Sequence, residues 1–212
     1  MSTPSNTFED FYRSGEPPWV IGEPQPAVVD LEHAGGITGP VLDLGCGTGE
    51  HTILLSRLGY RVLGADSAPA AVERARERAR AAGVAAEFTV ADAMDPAGLD
   101  GYATVLDSAL FHVFGADDRA RYARALTGVV VPGGQVVVLA LSTRGPGFGP
   151  QIGDDAVTDA FAGPEWSVAS LVESTYRGRV THADQAAATG RAIGELVDLP
   201  ALLARIRRVP AS

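Results

Sequence analysis

The stretch VLDLGCGTGEHTILLSRLG, Val41 to Gly59, sets an apolar run, three closely spaced glycines and an apolar-periodic segment in direct succession. A short apolar run bounded by glycine reads as a buried strand, and the periodic segment reads as a helix. The chain must therefore turn sharply from strand to helix through Gly45, Gly47 and Gly49. Glycines there permit unusual backbone angles and let a ligand approach the backbone closely. In an open parallel sheet this turn lies outside the carboxyl end of a strand, where ligands bind.

The rest of the chain supports such a sheet. Short apolar runs at Val41 to Leu44, Arg61 to Asp66, Ala86 to Val90, Ala103 to Ser108 and Gln135 to Leu141 read as strands. They alternate with helices at Gly49 to Leu58, Ala68 to Ala82 and Asp117 to Val129, the pattern of βαβ units. Downstream, DDAVTDAFAG reads as a helix, EWSVASLVEST as a strand and ALLARIRRV as a closing strand. The segment before Val41 carries Pro17, Pro18, Pro24 and Pro26 among aromatics and cannot continue the alternation. It is expected to form an N-terminal cap over residues 1–36, with QPAVVDLEHAG as a helix, on a core of residues 37–212 within one domain.

Composition narrows the chemistry. The formal charge is −9 and the pI about 4.8, which opposes a surface that tracks nucleic-acid phosphates. All 17 basic residues are arginine. Without lysine there is no Schiff-base lysine and no lysine of a GxxxxGK[ST] phosphate loop. The single cysteine, Cys46, cannot form an internal disulfide, and His33, His51 and His182 lack ligand spacing, so no metal site is expected. No apolar run reaches the roughly 18 residues of a membrane span, and MSTPSNTFEDFYRSG lacks signal-peptide character, so a cytoplasmic location is expected.

The glycine spacing discriminates between ligands. A dinucleotide fingerprint is GxGxxG, whereas here Gly49 comes one place early and Glu50 takes the third glycine's place. A carboxylate there opposes a pyrophosphate at the helix start. A nucleoside without phosphates suits the loop better. Asp66, ending the second strand, is placed to accept both ribose hydroxyls. Asp92 can accept from an exocyclic adenine amine while the Ala93 N–H donates to a ring nitrogen, and Asp43 can serve an ammonium directly or through water. Three strand-end carboxylates facing one crevice suit the cationic S-adenosylmethionine, with S-adenosylhomocysteine as product. Cys46, Ser67, Met94 and Asp107 complete the expected cofactor set.

VLDLGCGTG, VLGADSAP and FTVADAMD, in that order, resemble the cofactor motifs of class I methyltransferases over roughly Val41 to Leu141. The resemblance implies an α/β, Rossmann-like seven-stranded sheet of order 3-2-1-4-5-7-6, the last strand antiparallel, with helices on both faces. ALLARIRRV is then the antiparallel strand. FYRSGEPPWVIGEPQPAVVDL and VLDSALFHVF are similar to a small-molecule branch that includes thiopurine methyltransferase-like, thiol- or halide-methylating, and actinobacterial heterocyclic-toxin methyltransferase-like proteins. In that branch the Pro-Trp segment folds over the cofactor, which implies that Trp19 covers its methionine end.

The reaction so implied is in-line methyl transfer to N, O or S, in which alignment and exclusion of water matter more than proton transfer. If a base is used, His112 is the first expectation and Tyr12 the second. Phe8, Phe11, Tyr12, Phe111, Phe114 and Phe148 are expected to enclose a small aromatic, heterocyclic or thiol acceptor. Two rivals stay open at this point: an NAD-dependent oxidoreductase, and a non-catalytic S-adenosylmethionine-binding or regulatory protein.

Overall fold

Strand β1 (Val41–Leu44) is buried along its whole length, and the sheet grows outward from it on both sides. It pairs in parallel with β2 (Val62–Asp66) and with β4 (Tyr102–Ser108). β3 (Glu87–Val90) continues in parallel from β2, and β5 (Val130–Leu141) from β4. β7 (Leu196–Arg208) then runs antiparallel to β5, and β6 (Trp166–Arg179) antiparallel to β7. The seven strands have the order 3-2-1-4-5-7-6, as the resemblance implied. This computed structural model describes residues 5–15 and 17–210; Glu16 of the Pro-Trp segment, and Met1 to Pro4 of the segment read for a signal peptide, lie outside them.

Side chains alternate across a strand, so an uninterrupted apolar strand needs a core on each face. In β5, Val136, Val138 and Ala140 join one core while Val137, Leu139 and Leu141 join the other. The first core receives Tyr122, Ala123 and Leu126 from α5 (Ala116–Leu126) and Val157 from α6 (Asp155–Ala160). The second receives Ala27 and Val28 from α2 (Pro26–His33) and Leu55 from α3 (Glu50–Arg57). α4 (Pro69–Ala81) places Val72, Ala75 and Ala79 against Phe88. Its sequence is helix-favouring, with proline at the start and Gly83 just past the end at φ +65°.

The strand boundaries differ most at β5, β6 and β7. β5 begins at Val130, which pairs with Tyr102 across a register shift, so Gly133 and Gly134 lie within the strand instead of closing a turn before it. β6 and β7 pair along their whole lengths, which carries polar residues such as Thr175 and Arg177 into strand conformation through their backbone partners. Three elements go beyond the expected set: α1 (Ser5–Ser14), α7 (Ala183–Thr189) and a 3₁₀ turn at Phe111–Val113. α1 explains itself in retrospect, since Phe8, Phe11 and Tyr12 follow helical spacing and meet Trp19 edge-on at centroid distances of 6.0, 5.4 and 6.2 Å.

Candidate functional site

Gly45, Gly47 and Gly49 all occupy the left-handed region, at φ +76°, +53° and +84°. Each has a different neighbour. A Cβ on Gly45 would lie 3.0 Å from Leu110, one on Gly47 2.8 Å from the Tyr12 hydroxyl, and one on Gly49 2.8 Å from the Phe88 ring. Gly49 therefore serves helix-to-strand packing, whereas Gly47 lets the cap come down onto the loop. Asp66 holds that loop to the end of β2: its Oδ2 accepts from the Gly47 N–H and its Oδ1 from the Ala68 N–H, both at 2.9 Å. Burial raises the Asp66 carboxyl above its ordinary pKa, opposed by these two bonds. Each oxygen keeps lone-pair capacity for a further donor.

Loop and cap enclose a cavity of about 800 Å³, within the size of small-ligand sites. One wall is made by the strand ends: Gly45, Cys46 and Gly47 after β1, Asp66 and Ser67 after β2, and Asp92, Ala93 and Met94 after β3. The other carries Phe8, Phe11, Tyr12 and Trp19 from the cap, with Phe114 and Phe148. Asp92 Oδ1 accepts from the Met94 N–H at 2.9 Å, which shapes the turn and leaves Ala93 between them. Among the described residues no group accepts from the Ala93 N–H.

Four expected site residues stand outside this cavity. Asp43 is almost fully buried behind the loop, where its Oδ2 accepts from the Thr52 amide and hydroxyl at 3.1 and 2.6 Å. It ties β1 to α3, and desolvation raises its pKa to about 6. Asp107 is fully buried: Oδ1 accepts from the Leu110 and Phe111 amides at 3.1 and 3.0 Å, and Oδ2 from the Tyr122 hydroxyl at 2.8 Å. Phe111, expected to line an acceptor pocket, lies instead in the core against Tyr122 and Phe161. The 3₁₀ turn after β4 directs it inward, and the Asp107 bonds fix that turn. Gly49 is the fourth, packed toward Phe88.

His112, from the same turn, does reach the cavity. Its Nδ1 accepts from the Leu141 N–H at 3.0 Å, and burial, helped by Arg119, lowers its pKa to about 4. Tyr12 accepts from the Trp19 indole N–H at 2.8 Å, and burial lifts its hydroxyl well above the ordinary tyrosine pKa. Neither group is poised to take a proton at neutral pH.

Other wall residues carried little signal in the sequence. Gln25 accepts from and donates to the Arg177 backbone at 2.7 and 2.8 Å, stitching the start of α2 to β6. His51 takes the Gln25 N–H on its Nε2 at 3.1 Å, and desolvation lowers its pKa to about 4. Tyr176 is brought alongside by β6. Only the helical offset of His51 from the glycine loop, one residue past Glu50, was there to be read. Glu50 itself accepts from Thr48 at 2.7 Å and pairs with Arg78 at 2.6 Å.

The residues present fit S-adenosylmethionine. The loop backbone is open to close approach, the Asp66 carboxylate and the unused Ala93 N–H share one wall with Asp92, and no basic side chain stands on the loop to favour phosphate.

Comparison with known proteins agrees. Residues 41–134 match the methyltransferase domain family. Over 141 residues the chain is 36% identical to a 2-heptyl-1-hydroxyquinolin-4(1H)-one methyltransferase of Mycobacteroides abscessus, the match covering 62% of this chain and 62% of that protein. A structure solved for the conversion of a disulfide bond into a thioacetal group during echinomycin biosynthesis superposes with a TM-score of 0.87 at 37% identity, covering 98% of this chain and 94% of the other. The fold is shared with a Burkholderia thailandensis 1,6-didemethyltoxoflavin-N1-methyltransferase, at a TM-score of 0.70 and 18% identity over 97% of this chain and 87% of that one. These matches set aside the oxidoreductase reading: the chain belongs to the class I S-adenosylmethionine-dependent methyltransferases.

Proposed function

We propose that the protein methylates a small aromatic, heterocyclic or thiol acceptor at N, O or S inside the cavity between the strand ends and the cap. The observation that carries this reading is the enclosure itself. One continuous space of about 800 Å³ joins the glycine loop, Asp66 and Asp92 to an aromatic surface built from Phe8, Phe11, Trp19, Phe114 and Phe148. Such a space suits a flat apolar molecule better than a polymer, and the net charge of −9 disfavours a nucleic acid.

When bound, S-adenosylmethionine supplies an activated methyl group on a sulfonium. In this reading Asp66 receives the ribose hydroxyls, Asp92 and the Ala93 N–H hold the adenine edge, and Ser67 and Met94 flank them. Gly45, Cys46 and Gly47 pass under the methionine portion. Trp19, which lines the same cavity, would supply an aromatic contact to the cationic sulfonium. The cap, residues 1–36, excludes water and aligns the acceptor, which is the larger part of catalysis for an already activated donor. Asp43 and Asp107 contribute at one remove, by holding α3 and the 3₁₀ turn in place.

Relatives named for a hydroxyquinolone and for a toxoflavin precursor support a heterocyclic acceptor and a role in natural-product or xenobiotic metabolism. No helix among the described residues is long and apolar enough to cross a membrane, which accords with work in the cytoplasm. The test is a mass-spectrometric screen of thiols, phenols and N-heterocycles with methyl-labelled cofactor. Labelled product from at least one class is expected. Cofactor binding with no product from any class would leave a binding-only protein.

A further inference from the structure

Phe148 is carried by the loop between β5 and α6, and that loop is tied down at its stem. The Thr143 N–H donates to the Ile152 carbonyl at 3.1 Å, the Ile152 N–H to the Leu141 carbonyl at 2.9 Å, and the Ser142 N–H to the Pro200 carbonyl of β7 at 3.0 Å. Arg144 pairs with Asp154 at 2.7 Å, and the Gln151 amide donates to the Gly145 and Pro146 carbonyls at 3.3 and 3.0 Å. The apex, Gly147 to Pro150, is the part that lines the cavity. Its anchor is the Phe148 ring, which is buried in the core that also holds Leu141, Tyr176 and Leu199.

The seat of that ring is a missing side chain. Gly178 is the penultimate residue of β6 and pairs with Val197 on β7. Its φ lies outside the left-handed region, so the backbone there does not ask for glycine. Glycine inside a strand weakens it and marks a place where another group comes close. A Cβ at this position would lie 2.9 Å from Phe148 Cε1, 3.4 Å from its Cζ and 3.6 Å from Leu199 Cδ1.

The sheet order shows which half of the cavity the ring bounds. The loops proposed to hold the cofactor follow β1, β2 and β3, in one half of the 3-2-1-4-5-7-6 sheet. Phe148 follows β5 and packs on β7 and β6, in the other half. The ring therefore closes the end left to the acceptor.

Resting on the methyltransferase reading, we propose that Phe148 and Gly178 act as plug and socket to set the size of the acceptor. With the ring seated, the protein takes compact ring systems and rejects those that extend an alkyl chain toward β6 and β7. One methylene more than a closed apolar pocket can hold changes kcat/KM by about 10-fold or more.

The experiment measures kcat/KM with methyl-labelled cofactor along a ladder of thiophenol and its para-methyl, para-butyl and para-hexyl derivatives. Wild type, Phe148→Ala, Gly178→Ala and the double variant are compared. In wild type the values are expected to fall along the ladder. Phe148→Ala is expected to raise the hexyl-to-parent ratio by about 10-fold or more. Gly178→Ala should act in the opposite direction, lowering the methyl-to-parent ratio several-fold, because the cavity is the open side into which the ring must move. In the double variant the alanine at 178 has no ring to meet, so its ladder should match that of Phe148→Ala within about two-fold. Such coupling marks direct contact.

S-adenosylhomocysteine affinity and circular dichroism report whether each variant is folded. Should an alanine variant fail that check, Phe148→Leu stands in, with a ratio expected between wild type and an empty socket. Calorimetry of the same thiophenols into the S-adenosylhomocysteine-loaded protein reads the ratios without turnover. A flat ladder in wild type, the same ladder in Phe148→Ala, a Gly178→Ala effect that persists in the double variant, or no binding of any thiophenol to any form would overturn the proposal. Binding ratios as expected with no methylated product would instead strike the methyltransfer reading and leave the plug standing.

Discussion

The two walls of the cavity are built from different material. The strand-end wall comes from three short segments, each directly after a parallel strand, and presents backbone amides and carboxylates whose positions derive from the sheet register. The cap wall gathers residues from α1, the loop around Phe148 and β6, brought together by contacts between distant parts of the chain. Gln25 on Arg177, and Phe148 against Gly178, are such contacts. A wall set by register tolerates few changes and recognises one ligand. A wall set by packing can change its occupant without changing the fold.

The sharpest way to break this contrast is Gly47→Val. The position has φ +53° and its Cβ would press on Tyr12, so a side chain both strains the loop and lifts the cap. Cofactor affinity is expected to fall by about 100-fold or more with the circular dichroism spectrum unchanged. Retained affinity would mean that the loop is only a turn.

Asp107→Ala is the counterpart for a carboxylate outside the cavity. It leaves the Tyr122 hydroxyl and two buried amides without their acceptor, at a cost of about 3 kcal/mol in stability. A lowered thermal midpoint with cofactor affinity within a few-fold of wild type is expected. A selective loss of affinity in a fully stable protein would return Asp107 to the cofactor site.

That pair marks how far the residues alone could be read. The glycine turn and the placement of Asp66 and Asp92 beside the strand ends were legible because a parallel strand ending in glycine or aspartate leaves one direction for the chain, whereas the strand order was implied by the resemblance to class I methyltransferases. Asp43 and Asp107, within β1 and β4, and Phe111, in the turn after β4, lie in the quoted motifs too, yet each turns into the protein. Whether a strand-end side chain faces ligand or core depends on the next turn, and the 3₁₀ turn at Phe111–Val113 has no spacing signature of its own. α1 escaped because its helix is marginal without the surface of α4 and Trp19 to bury its aromatic face.

Trp19→Ala tests the cap wall. It removes the ring on which Phe8, Phe11 and Tyr12 converge and frees the Tyr12 hydroxyl. Turnover is expected to drop about tenfold, with a smaller change in cofactor affinity. Equal losses in both would merge the two walls into one.

The smallest effect concerns the docking of the cap. Glu9 Oε2 accepts from the Ala70 N–H at 2.9 Å at the start of α4, which lacks a side-chain cap of its own, and Glu9 pairs with Arg13 at 2.6 Å. The Ala70 amide and then Arg13 hold the Glu9 carboxyl below the usual carboxylate range, so the contact is complete above the free carboxyl's pKa and is lost as pH falls through the lowered value. Glu9→Ala is expected to speed tryptic cleavage after Arg13 a few-fold at neutral pH. Wild type is expected to approach the same rate of opening only at acid pH, as read by hydrogen exchange in α1. Unchanged cleavage in the variant would show that apolar packing alone holds the cap.

On the proposed reading, the strand-end wall holds an adenosyl cofactor anchored by Asp66. Calorimetric titration of S-adenosylhomocysteine into wild type and Asp66→Ala tests this most directly. One-to-one binding to wild type, weakened about tenfold or more in the variant, roughly 1.4 kcal/mol, is predicted. No binding to wild type, or equal affinity in a folded variant, would contradict it.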